Sequence, residues 1–227
     1  MPRTRLSLAL GFAVALACTA VGAQDHGHID KVHGSITAQS GQSYGNLETV
    51  NGSIRIESSA QVGDAETVNG SITASDNISA HSLSTVNGSI RIGSQARIDG
   101  SIETVNGSVF VDRGGEVRRD IETVNGAIGL VDTDLAGGIE TVNGDVTVGA
   151  GSHVHGGIRI EKPDGWGGFQ MGQRKPPKII IGPNAQVDGP MSFERPVLLY
   201  VHSTAKVGRI TGATPVRYST DRAPIAD

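Results

Sequence analysis

The chain has 227 residues, a formal net charge of −4, 32 glycines and only 4% aromatic residues. So few large rings argue against a conventional core built on aromatic surface, and glycine without a strict Gly-X-Y period rules out collagen. An apolar fraction of 37% is too high for wholesale disorder, and the mildly acidic balance, with no basic stripe, argues against nucleic acid as a partner.

The first 23 residues read as a secretion signal. Arg3 and Arg5 supply a positive start, Leu6 to Ala17 an apolar run, and Val21-Gly22-Ala23 a small-residue cleavage site. An export signal over 1–23 places the mature protein in the periplasm or outside the cell. Cys18 offers lipid anchoring as a lesser alternative, because Ala15 stands where a lipobox carries Leu. Cleavage after Ala23 removes two arginines and the single cysteine, leaving 17 basic against 23 acidic side chains and no disulfide. Backbone ladders and a core must then hold the fold alone.

Just beyond the cut lie His26, His28 and His33, a candidate metal cluster. A new amine on Gln24 with His26 third would also suit Cu(II) or Ni(II), unless Gln24 cyclises.

From Val32 onward one hexapeptide returns. It reads LETVNG at Leu47, AETVNG at Ala65, LSTVNG at Leu83, and IETVNG at Ile102, Ile121 and Ile139. Its asparagines, Asn51, Asn69, Asn87, Asn106, Asn125 and Asn143, step by 18, 18, 19, 19 and 18. One step back lies His33, in a first copy with His for Asn. A period this regular marks a repeat architecture. Ile54-Arg55-Ile56 and Val146-Thr147-Val148 alternate apolar and polar with period two, as strands do. No stretch after residue 23 has a helical period.

Strands of two to five residues are too short for hairpins, but a coil closed once per repeat stacks identical residues at about 4.8 Å. The expected fold is therefore all-β, a single-stranded parallel β-helix of about nine 18–19-residue coils over 24–213. The irregular 19-residue steps favour a right-handed coil. Asn-Gly is expected to make the corner through positive φ, and the six asparagines to form an amide ladder along the axis. Val50, Val68, Val86, Val105, Val124 and Val142 are expected to point inward before the corner, and Ile54 and its copies after it. A third inward column is Val62, Ala80, Ile98, Val117, Ala136 and Val154. The Asn-Gly-Ser triplets also match a glycosylation acceptor, but sequons in step with the fold repeat are better explained by the corner.

The pattern breaks after Ile160 and resumes at Ile179, so 161–178 reads as a loop inserted into one coil. It carries the single tryptophan. Trp166 and Phe169 either cover a flank of the stack or form an exposed contact for a partner. Residues 214–227, with Pro215 and Pro224, are expected to form a flexible tail.

Candidate chemistry is sparse. Glu48, Glu66, Glu103, Glu122 and Glu140 form a carboxylate column interrupted by Ser84, either a solvated ladder or a row of Ca²⁺ seats. His153 and His155 share a strand face, though two ligands are too few for a structural zinc site. Nothing calls for a cofactor.

SIRIGSQARIDG at Ser89–Gly100 and IIIGPNAQVDG at Ile179–Gly189 resemble bactofilins, the bacterial polymer-forming β-helix proteins. IETVNGDVTV at Ile139–Val148 is similar to the adhesin-like repeat domain of bacterial exported proteins. Together these resemblances cover most of 32–210. The bactofilin likeness implies a right-handed triangular β-helix that polymerises end to end without nucleotide, and the export signal departs from it. The expected function is thus a non-enzymatic exported structural or adhesin-like protein, self-assembling end to end at the cell envelope. The alternative is a carbohydrate-active β-helix enzyme such as a polysaccharide lyase, and the glutamate column lacks the Arg or Lys partner that this would need. A hexapeptide acyltransferase is disfavoured because its acyl donor is cytoplasmic.

Overall fold

The computed structural model describes residues 27–162, 175–220 and 222–224. Every regular element among them is a strand, and every pairing is parallel. The strands form three sheets of ten, ten and eight, each joining a strand to its copy in the next coil. The protein is a β-solenoid of about ten turns of three faces, one more coil than the repeat count alone gives.

The first face carries the hexapeptide, from Ile29–His33 and Leu47–Asn51 through Ile139–Asn143 to Ile210–Thr211. Register is strict. Ile102, Glu103, Thr104 and Asn106 pair with Ile121, Glu122, Thr123 and Asn125. The second face follows the corner, from Ile36–Ala38 to Val216–Tyr218, and the third is made of two-residue strands from Gln61–Val62 to Lys206–Val207.

Strand alternation decides which side chains enter the core. With Leu47 fully buried, period two sends Thr49 inward and Glu48 and Val50 outward, and every hexapeptide copy repeats this. The valine column is therefore not a core column. It lies half-buried outside, beside the glutamates, except Val142, which is 8% exposed. Parity also corrects the third column. Leu135, not Ala136, pairs with Val117 and Val154 and fills the core, and Ala136 is exposed.

Among the glycines of the Asn-Gly corner only Gly34 and Gly126 adopt positive φ, at 103° and 157°, whereas it recurs from coil to coil at the corner between the second and third faces. Gly41, Ser59, Asn77, Gln95, Gly114, Asp132, Gly151 and Asn184 adopt φ of 45–74°. There a backbone turn closes the coil, as where Ala60 N donates to Glu57 O at 3.1 Å. The six asparagines of the Asn-Gly corner are absent from the left-handed region.

The insertion opens the solenoid at the Asn-Gly corner of the eighth coil, between Ile158–Ile160 and Lys178–Ile181. The second face thus resumes at Lys178, within the segment expected to be loop. Trp166 and Phe169 lie outside the described residues. Residues beyond 213 do not all leave the body. Val216–Tyr218 pairs with Leu198–His202, and Tyr218 donates its hydroxyl to Ile181 O at 3.2 Å.

Candidate functional site

At the Asn-Gly corner each coil is tied to its neighbour four ways. The amide ladder runs unbroken: Asn69 donates to Asn51 at 3.0 Å, and so on in steps of 3.0–3.1 Å up to Asn143, which donates to Asn125. The glycine N–H donates to the asparagine carbonyl of the next coil, as from Gly107 to Asn125 at 2.9 Å. The buried threonine hydroxyl donates back to a glycine carbonyl, as from Thr104 to Gly88 at 3.1 Å. The serine hydroxyl after the glycine accepts a backbone N–H from the next coil, from Ser35 through to Ser108. The threonine and serine columns escape a reading that looks for apolar patterns, and only the register exposes them.

Glycine is required for close approach. A Cβ on Gly70, Gly88, Gly107 or Gly126 would fall inside the carbonyl oxygen of the glycine one coil below. These bonds between the corner's own groups hold coils at strand spacing.

The ladder ends where the insertion opens the next corner. Arg195, from the ninth coil, reaches back and donates to Val142 O at 3.0 Å and to Asn143 Oδ1. The guanidinium thereby covers Val142 and satisfies the last amide oxygen. Thr141 Oγ1 is left with no hydrogen-bond partner, the one such buried side-chain oxygen or nitrogen among the described residues.

The glutamate column continues from Glu140 to Arg159, whose Nε lies 3.6 Å from the carboxylate, so the column does meet an arginine. Beside them Glu161 has its carboxyl pushed up to about 7, first by burial, then by its hydrogen bond to Glu140 and the charges of Glu140 and Glu194. Burial likewise raises Glu66 and Glu122, helped by neighbouring carboxylates, and raises Glu140 against the opposing pull of its hydrogen bond with Glu161 and of the Arg159 charge. A cleft of about 310 Å³ next to this group is lined by Asp120, Glu140, Arg159 and four glycines.

These shifts fix a sign. Below the ordinary value of 4.5, Glu161 is protonated in folded and unfolded chains alike. Between there and about 7 the folded chain keeps a proton that the unfolded chain has released, so stability falls as pH rises through this window. The unfolding midpoint is expected to be higher at pH 5 than at pH 8. Glu161→Gln, which keeps a donor for Glu140 at any pH, should flatten that dependence and raise the midpoint at pH 8. Equal urea midpoints for wild type at pH 5 and pH 8, or the same midpoint difference in Glu161→Gln as in wild type, would refute the assignment.

The structure separates the N-terminal histidines. His28 Nε2 lies 3.0 Å from Asp30, and these two cluster with Glu48. His33 ends the strand Ile29–His33 and pairs with Asn51 at the head of the amide ladder. The groups that approach His28 within ligand distance are Asp30 and Glu48, and His33 is not among them. His26 lies outside the described residues.

His153 and His155 stand on the third face with rings 3.8 Å apart. Acids from adjacent coils complete the group. His153 Nε2 is 2.7 Å from Asp188, and His155 Nε2 is 2.9 Å from Asp134.

No family model, curated protein or solved structure matches the chain. The class defined by fold and site together is a parallel β-solenoid repeat protein whose repeated residues hold coil to coil.

Proposed function

We propose that the protein is an exported, non-enzymatic structural β-solenoid that associates end to end at the cell envelope, in the manner suggested by its bactofilin-like and adhesin-like coil motifs. The observation carrying this reading is that both ends leave strand edges unpaired, with net acidic coils toward the N-terminal end and net basic ones toward the C-terminal end. Among the described residues, nothing pairs with the outer edge of Ile29–His33 or of Val216–Tyr218, and an unpaired edge is a template for another chain. Over 27–76 there are six carboxylates against Lys31 and Arg55, whereas 196–220 carries Lys206, Arg209 and Arg217 with no acid. Head-to-tail contact therefore brings unlike charges together.

Lys31 stands where later coils carry the inward threonine. A lysine on an edge discourages indiscriminate strand addition, which leaves the charge asymmetry to select the partner end. The carbohydrate-active alternative draws on Glu140, Arg159 and Glu161. As a glycoside hydrolase pair Glu140 and Glu161 stand too close, because a hydrogen-bonded carboxyl pair is nearer than the roughly 5 Å or more that hydrolysis keeps between its two carboxyls.

Sedimentation velocity of the purified protein tests the association. Oligomers are expected to grow with protein concentration. They should weaken as salt rises from about 0.01 to 1 M, over which the screening length falls from about 30 to 3 Å. A monomer at every concentration in low salt would end the proposal.

A further inference from the structure

Outside the corner, the third face holds one cluster with mixed imidazole and carboxylate chemistry. Register builds it. Asp134, His153 and Gln186 are paired across three successive coils, one above another and all outward. Two residues along each strand, on the same side, stand Ala136, His155 and Asp188. The small Ala136 side chain leaves room next to His155. The histidines thus make two diagonal bonds, His155 to Asp134 at 2.9 Å and His153 to Asp188 at 2.7 Å, and His155 Nδ1 lies 3.7 Å from the same Asp188 oxygen.

We propose that Asp134, His153, His155 and Asp188 form a binding site for a divalent transition-metal ion, with zinc as its simplest occupant. Ligand atoms of Asp134, His153 and His155 already lie within 4.8 Å of one another. Bonds of about 2.0–2.1 Å in a tetrahedral zinc site place donors roughly 3.4 Å apart, so small rotations of these exposed side chains close the set. Two imidazoles with carboxylates select zinc, copper or nickel over calcium or magnesium, which prefer oxygen alone. Gln186 supplies the outer support. Its Nε2 donates to Asp188 Oδ1 at 2.6 Å, holding the carboxylate with Oδ2 turned to the histidines.

Position gives the site a role. Its ligands come from the sixth, seventh and eighth coils, and the eighth is the coil that the insertion interrupts at the opposite corner. An ion here would clamp three coils where the asparagine ladder stops.

The test is calorimetric titration of zinc chloride into the purified protein, prepared without a histidine tag, beside His153→Gln, His155→Gln and His28→Gln. All three side chains are partly or fully exposed, and far-UV circular dichroism checks that the fold persists. One zinc equivalent is expected to bind wild type and His28→Gln alike, and at least tenfold more weakly to His153→Gln and His155→Gln. In parallel, imidazole resonances of both His153 and His155 should shift together in ¹H–¹⁵N spectra as zinc is added. The proposal is overturned if the His153 and His155 variants bind zinc as wild type does, if only His28→Gln loses binding, or if the two imidazoles stay unmoved at saturation.

Discussion

Gly107→Ala is expected to destabilise the protein by about 3 kcal/mol, the upper end of overpacking costs, and to lower the melting temperature by about 6–12 °C for a chain of this size. The added methyl would meet the Gly88 carbonyl, its carbon and Ser89 N, all of them backbone. No side chain can rotate away, so the coil spacing itself must open, and the hydrogen bonds from Thr104 to Gly88 and from Gly107 to Asn125 lengthen with it. Gly129→Ala is the internal control. Its methyl meets only the Phe110 ring, at 3.3 Å, and the change should fall within about 1 kcal/mol of wild type. Asn106→Val, one residue before Gly107, removes two exposed ladder bonds that water can replace in part, at a cost of about 1 kcal/mol. Urea midpoints for the three variants rank these effects. Equal losses for Gly107→Ala and Gly129→Ala would refute close approach as the reason for the glycine.

That ranking reverses the emphasis a reading of Asn-Gly suggests. The pair is familiar from turns needing positive φ, yet here none of its asparagines adopts it, only Gly34 and Gly126 among the corner glycines do, and the recurring left-handed residue sits at a different corner. That corner uses Gly, Ser, Asn, Gln and Asp in different coils, so no single letter marks it. The period, the strand alternation and the closed coil were all legible, because stacked identical residues leave a repeat in the text. Inward direction was legible only through parity. Val50 is more apolar than Thr49, but Leu47 and its pleat place Thr49 in the core, where its hydroxyl is satisfied by Gly34 O at 3.1 Å. Sites made between coils were the least legible. Asp134 and Asp188 lie 19 residues before and 35 residues after His153, and Arg195 caps a ladder that ends 52 residues earlier. The insertion lies between His153 and Asp188 and between Asn143 and Arg195, so counting by 18 finds neither of those pairs, whereas Asp134 stands one repeat before His153.

Deleting residues 214–227 is expected to tighten self-association at least tenfold, about 1.4 kcal/mol. The deletion removes Val216–Tyr218, the last strand of the second face. Tyr218 packs edge-on against His202 with ring centroids 5.0 Å apart and is anchored by its hydroxyl to Ile181. Without that strand the five-residue edge Leu198–His202, rich in Leu, Tyr and Val, loses its pairing partner. A long apolar edge of this kind recruits other chains. The truncation removes Arg217 and Arg222 together with Asp221 and Asp227, so the net charge is unchanged. Because the newly bared edge is apolar, the association that results should be less sensitive to salt than that of the full chain. Adding Leu198→Lys to the truncated protein places a charge on the new edge and should reverse the gain. Sedimentation velocity of the three proteins at matched concentrations separates the cases. A truncated chain no more associated than the full one would show that the C-terminal edge is not where subunits meet, and the opposite end would then have to carry the contact alone.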